Sequence, residues 1–338
     1  MTMNAGMQRP PASPLRRRLL LAALAAGAQP ALLRAAHAEA AGRDAPASAY
    51  DTFDREWHDA SRNRAVPVRL RLPRDASRER PVPLVVFSHG IGGSREGYSY
   101  LGKHWAGHGL ATLHLQHVGS DRSLWFGNPL LLPARLMDAA RESEAIARVE
   151  DLRFALTRLL GSAEGERIDA GRIAAAGHSY GANTTLLAAG ARIERDGRTL
   201  DLREPRLKAA VVLSAPRFYG EGSARAILGS VDLPSLHVTA TEDVIRIPGY
   251  YSGADDRVEV FEAMGSVHKT LAVFEGGSHS MFTDRQGTGG ALLNPQVKAA
   301  TQALSLAFLR QTFGLGGDEA LRAWPAEHKA ILARFVAA

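Results

Sequence analysis

Short apolar runs alternate along the chain with longer segments whose apolar positions recur at helical spacing. VPVRLRL (66–72) alternates as a strand does, and PLVVFSHG (83–90), LATLHLQ (110–116), RIAAAG (172–177), AAVVLSA (209–215), PSLHVTA (234–240) and KTLAVFE (269–275) are the continuous runs of strands buried on both faces. Between them, 147–161, 182–193 and 297–313 carry helical periodicity. Buried strands alternating with helices predict an α/β fold, a mostly parallel central sheet with helices on both faces. No internal repeat or Gly/Ser linker divides residues 50–338. The pattern therefore predicts a single domain over 39–338, with its core from about residue 50.

One segment breaks the rhythm. Residues 120–143 carry Trp125, Phe126, Leu130, Leu131, Leu132, Leu136 and Met137, unusually apolar for a connection. Long connections are often functional. The insert is either a wall or lid of a pocket, with Trp125 and Leu131 as its substrate-binding candidates, or an ordinary helix packed on the core.

The N-terminal pattern differs again. Arg16, Arg17 and Arg18 precede the apolar run LLLAALAAGA (19–28), and small residues frame a cleavage site at Ala36-His37-Ala38. Such an order predicts a cleavable export signal over 1–38 and a periplasmic or secreted protein. The run is too short to span a bilayer, which takes about 20 apolar residues, so no stable membrane anchor is expected. Paired arginines before leucines are similar to a twin-arginine signal, with the general secretory route as the alternative. The leader also explains the charge. The 338 residues carry a formal +6, but Arg9, Arg16, Arg17, Arg18 and Arg34 all precede the first acidic residue, Glu39, and without these five the total falls to +1. A nearly neutral body predicts no nucleic-acid partner. Cys is absent, which excludes a disulfide, a thiolate nucleophile and a Cys-bound metal.

The chemistry concentrates in GHSYG (177–181), where Ser179 stands between Gly177 and Gly181 after an apolar run and before a helical pattern. That context is a nucleophile elbow, a tight strand-to-helix turn that tolerates only glycine two residues to either side. A serine hydroxyl needs a base, and His279 in EGGSHSMF follows the last buried run. An acid should lie between the two in sequence. TATEDVIRIP supplies Asp243, with Glu242 as its neighbour and rival. Two backbone N–H groups should bind the oxyanion of a tetrahedral intermediate: that of Tyr180, after the nucleophile, and that of Ile91 in HGIGG (89–93). His104 and His108, four residues apart, have the spacing of metal ligands but lack an HExxH pattern. No metal and no cofactor is therefore expected.

FSHGIGGSREGY, GHSYG, TEDVIRIP and GGSHSMF resemble, in this order, the dienelactone-hydrolase-like serine α/β-hydrolases. They are similar to bacterial relatives of platelet-activating-factor acetylhydrolase, and more distantly to cutinase-like polyesterases. The resemblance implies an α/β-hydrolase fold and a carboxylic ester hydrolase acting on a small-molecule ester or lipid-like substrate. True dienelactone hydrolases use a cysteine nucleophile and cutinase-like enzymes usually carry a disulfide, neither possible here. The alternatives are a lipase or phospholipase A2-like enzyme, a polyester hydrolase, or a non-catalytic binding module on the same fold. Oligomeric state leaves no trace in the sequence.

Overall fold

The computed structural model describes residues 49–218, 222–247 and 250–337; the export signal expected at 1–38 lies outside them. The described chain enters through an antiparallel hairpin of β1 (Tyr50–Asp59) and β2 (Arg64–Pro73), in register from Tyr50↔Pro73 to Asp59↔Arg64. Strand β3 (Val82–Ser88) then leads through helix α1 (Ser99–Gly107) to β4 (Ala111–Leu115), which pairs parallel to β3. The insert follows, with a short helix α2 (Leu132–Ala139) in it, and then the long helix α3 (Glu142–Leu160).

Strand β5 (Ile168–His178) runs into α4 (Tyr180–Ala189), and a small hairpin, β6 (Arg192–Arg195) and β7 (Arg198–Asp201), precedes β8 (Leu207–Leu213). Helix α5 (Ala224–Leu228) connects to β9 (Ser235–Ala240), followed by a two-stranded ribbon, β10 (Ile245–Ile247) and β11 (Tyr250–Ser252), and α6 (Ala254–Ala263). Strand β12 (Lys269–Phe274), helices α7 (Leu293–Thr312) and α8 (Asp318–Glu327) and strand β13 (Leu332–Ala337) complete the chain. The nine-stranded sheet has the order β1-β2-β4-β3-β5-β8-β9-β12-β13. Its centre, β4 to β12, is parallel, while β2 and β13 join it antiparallel. This is the α/β-hydrolase fold.

Strand alternation sorts the core into two layers. Leu84 and Val86 of β3 pack with Val149, Leu152 and Leu156 of α3 and Leu186 of α4. Their neighbours Val85 and Phe87 pack on the other face with Trp105 of α1 and Leu304 and Phe308 of α7. Period-two residues thus serve both layers at once, which is why these strands read as continuous apolar runs. Helix α3 has Glu142 and Glu144 in its first turn and Arg158 in its last, in the sense the helix dipole favours.

One expectation changes, and one of two alternatives is set aside. The helical pattern over 182–193 stops at Ala189, because Gly190 takes a left-handed φ of 114°. The chain then turns at Asp196 (φ 50°) and Gly197 (φ 68°) between β6 and β7, residues that suit a tight hairpin. The insert, for its part, does not pack its large side chains on the core: Phe126 is 71%, Leu130 86%, Leu131 55% and Met137 70% exposed.

Candidate active site

Ser179 sits at the junction of β5 and α4 with φ 54° and ψ −123°, a combination sparsely used by any residue with a side chain. The neighbouring strand fixes this strained turn: the Ser179 N–H donates to the carbonyl of Leu213 at 2.9 Å. The flanking glycines are demanded by contact. A Cβ on Gly181 would lie 1.9 Å from the carbonyl oxygen of Ser88, and one on Gly177 would lie 2.1 Å from that of Gly181. Any larger residue would push the elbow off the sheet.

His279 begins a short turn, His279–Phe282, in the loop after β12. The Ser179 hydroxyl donates to its Nε2 across 2.8 Å, and its Nδ1–H donates to Asp243 Oδ1 across 2.7 Å. Asp243 follows β9 and is wholly buried, whereas Glu242 is exposed. The other Asp243 oxygen accepts from the hydroxyls of Ser214 and Thr239, and the buried Arg257 lies 3.4 Å from Oδ1. Burial alone would raise the Asp243 pKa. The hydrogen bond from His279, the charges of His279 and Arg257 and the Ser214 hydroxyl outweigh it and hold the carboxyl well below its ordinary range. Asp243 is therefore an anion at neutral pH.

Ile91 and Tyr180 occupy the two positions expected of oxyanion donors. Tyr180 opens α4, and a first-turn N–H has no partner within its own helix. Around Ile91 the neighbouring amides are engaged: Gly92 N–H donates to the Ser120 carbonyl (2.8 Å) and Gly93 N–H to the Gly90 carbonyl (3.0 Å). Trp125 braces the same loop, since its indole N–H donates to the Gly92 carbonyl at 2.7 Å. Gly92 has φ +72°, and a Cβ there would lie 2.4 Å from the Trp125 ring. Trp125 thus touches the loop that carries Ile91, while Leu131 stands in solvent. His104 and His108 have rings 4.3 Å apart, and among the described residues no group of three His, Cys, Asp or Glu side chains could hold a metal ion.

Several further residues meet around the site. Tyr98 accepts the Gly90 N–H at 3.1 Å and donates to His178 Nδ1 at 2.9 Å; His178 Nε2–H in turn donates to the His279 carbonyl at 3.0 Å. Burial, then the charge of His279, pushes the His178 pKa down to about 3, so the ring stays neutral. Ser214 and Arg257 join the site only through folding. A second relay, Ser88–His117–Asp151, has a Ser88 Oγ to His117 Nε2 distance of 3.0 Å and a His117 Nδ1 to Asp151 Oδ2 distance of 3.1 Å. All three of its residues are fully buried, against 7% exposure for Ser179.

Residues 62–126 match the family model described as "Platelet-activating factor acetylhydrolase, isoform II". Over this stretch the chain is similar to these acetylhydrolases. No curated protein matches it significantly. The acetylhydrolase match covers β2, β3, β4 and the loop bearing Ile91, and ends inside the insert, before Ser179. The similarity supports an ester hydrolase of the serine type in general. Among the described residues no helix is long and apolar enough to cross a membrane.

Proposed function

We propose that the protein is an exported carboxylic ester hydrolase working through an acyl-enzyme. Ser179 attacks the ester carbonyl as His279 takes its proton, and the N–H groups of Ile91 and Tyr180 hold the oxyanion. His279 then returns the proton to the departing alcohol. Water, deprotonated by the same ring, releases the acid. Asp243 keeps the Nδ1 proton in place, so that Nε2 is the free base, and stabilises the imidazolium as it forms. The observation that carries this reading is the relay of 2.8 and 2.7 Å ending on a serine in a strained elbow. The arginine-led N-terminal pattern supports the periplasm or the exterior as its place of action.

A fluorophosphonate probe tests the reading. It is expected to label the wild type once, at Ser179, and to leave Ser179→Ala unlabelled and without esterase activity. Labelling or hydrolysis that survives this substitution would refute it.

A lipid-like ester is the second reading, favoured by the exposure of Phe126, Leu130, Leu131 and Met137. Scattered exposed apolar residues need no explanation, but a group of them in one segment suits an apolar substrate. In that case kcat/KM should climb along a series of nitrophenyl esters by up to about fourfold per added methylene, the equivalent of ~0.8 kcal/mol. Leu131→Ala should flatten the climb without altering hydrolysis of the acetate.

A further inference from the structure

Arg148, on α3, is fully buried. Its three guanidinium nitrogens reach three different structures: Nε donates to Thr184 Oγ1 of α4 at 2.9 Å, NH1 to Ser120 Oγ at 2.8 Å and NH2 to the carbonyl of His89. The planar group also stacks over the Tyr180 ring, 4.5 Å from its centroid. These contacts converge on both expected oxyanion donors. His89 lies two residues before Ile91, in the loop whose Gly92 is fastened to Ser120. Thr184 Oγ1, which receives Arg148, itself donates to the carbonyl of Tyr180 at 3.0 Å.

A core needs no cation here. Among the described residues no carboxylate pairs directly with Arg148. The nearby acids are committed elsewhere: Asp151 to Arg62, Arg64 and His117, and Glu144 to Arg64 and Ser120. An arginine carried into the interior and spent on one carbonyl and two hydroxyls costs desolvation that an aliphatic side chain would not. The rigid fork of the guanidinium is what an aliphatic side chain cannot supply.

We propose that Arg148 is a positioning residue for the oxyanion hole, a single fork that fixes the His89–Gly93 loop and the first turn of α4 at a set separation, so that the N–H groups of Ile91 and Tyr180 point to one place. The inference rests on the oxyanion reading proposed above. Losing one oxyanion donor typically lowers kcat by about 100- to 1000-fold, and releasing the fork should misalign both.

The test uses Arg148→Met and Arg148→Lys, with kcat counted per fluorophosphonate-reactive site so that misfolded molecules drop out. The expected result is a loss of about 100-fold in kcat for Arg148→Met at nearly unchanged KM. A similar loss should appear in affinity for an aryl boronic acid, whose tetrahedral adduct places an oxygen where the oxyanion forms. Arg148→Lys keeps the charge but not the fork and should fall between. Parent-like kcat and boronate affinity in either folded variant would overturn the proposal, as would losses confined to thermal stability. If neither variant folds, Thr184→Val reads the same connection: a fall in kcat of about tenfold is expected, and no fall overturns it. Ser179→Ala run in parallel separates the failures. If that variant stays active, the serine mechanism itself is wrong; if it is dead while the Arg148 variants match the parent, only the positioning role is.

Discussion

Two Ser–His–Asp chains lie in this molecule, Ser179–His279–Asp243 and Ser88–His117–Asp151, and their bond lengths differ by no more than 0.4 Å. Their surroundings differ in every respect that matters to a reaction. Ser179 is strained, partly exposed and followed by a helix N-terminus; Ser88 ends an ordinary strand, with no exposed surface. Asp243 shares its charge with one buried arginine, whereas Asp151 is gripped by Arg62, Arg64 and His117. His117 is neutral, its pKa pushed down to about 4 by burial and then by the charge of Arg148, against the pull of Asp151. The first chain suits the proton transfer proposed above, while the second ties α3 to β3 and β4. Bond geometry alone does not make a nucleophile.

The largest separation between the two should come from the acids. Asp243→Asn is expected to cost roughly ten-thousand-fold in kcat by stabilising the wrong His279 tautomer, and to lower the melting temperature as well, because buried Arg257 loses its anionic partner; steady-state kinetics on a nitrophenyl ester and thermal melts check it. Asp151→Asn should cost stability alone. Breaking a buried ion pair costs about 3–5 kcal/mol, which at about 2–4 °C per kcal/mol lowers the melting temperature by roughly 10 °C, while folded molecules keep their kcat.

Acid should distinguish them next. His89, His114, His117, His178 and His237 are all buried with pKa values pushed below that of free imidazole, in each case chiefly by burial. As the pH falls below about 6.5, the unfolded chain takes up protons that the folded chain refuses. Stability is therefore lost progressively from about pH 6.5 down to the folded values. Thermal melts between pH 7 and 4 should show a steep decline, and His117→Gln should make it shallower.

The serines should give a smaller contrast in stability. Ser88→Ala removes a buried hydrogen bond worth about 1 kcal/mol and should leave fluorophosphonate labelling intact. The smallest effect is expected of Glu242→Gln, an exposed carboxylate beside the triad acid, whose kcat should stay within about twofold of the parent.

The sheet and the Ser179–His279–Asp243 chain were legible in the sequence for one reason. Each of their requirements falls within a few consecutive residues: a buried strand, a glycine-flanked serine, an acid or a histidine just past a strand end. Strand β1 escaped notice because Asp51, Arg55 and Asp59 interrupt its inward side, where only Phe53 and Trp57 lean on the core. Ser214 and Arg257 escaped because Asp243, their shared partner, lies 29 and 14 residues away, and no local pattern marks them. Arg148 did leave a trace. At helical spacing it falls on the same face as Leu152, Ala155 and Leu159, all buried, and a cation in an apolar stripe asks for an explanation. For the insert, apolar content left two readings open, and the exposure of Phe126, Leu130, Leu131 and Met137 goes against the core-packed one.

The backbone bonds that carry the site from strand to strand run in one direction. Ser179 N–H reaches back to Leu213 of β8, Ser214 N–H to Val238 of β9, and Thr241 N–H to Phe274 of β12. Each rung is thus completed by a segment synthesised after it. The hydroxyl at 179 emerges long before the imidazole at 279, and that loop is braced by chain still later, since Glu275 N–H bonds to the carbonyl of Ile331. A nascent chain, or one truncated before its last strand, would hold an ordinary alcohol rather than a reactive one. The proposed hydrolytic competence would therefore wait on the segment around Ile331, 152 residues after Ser179.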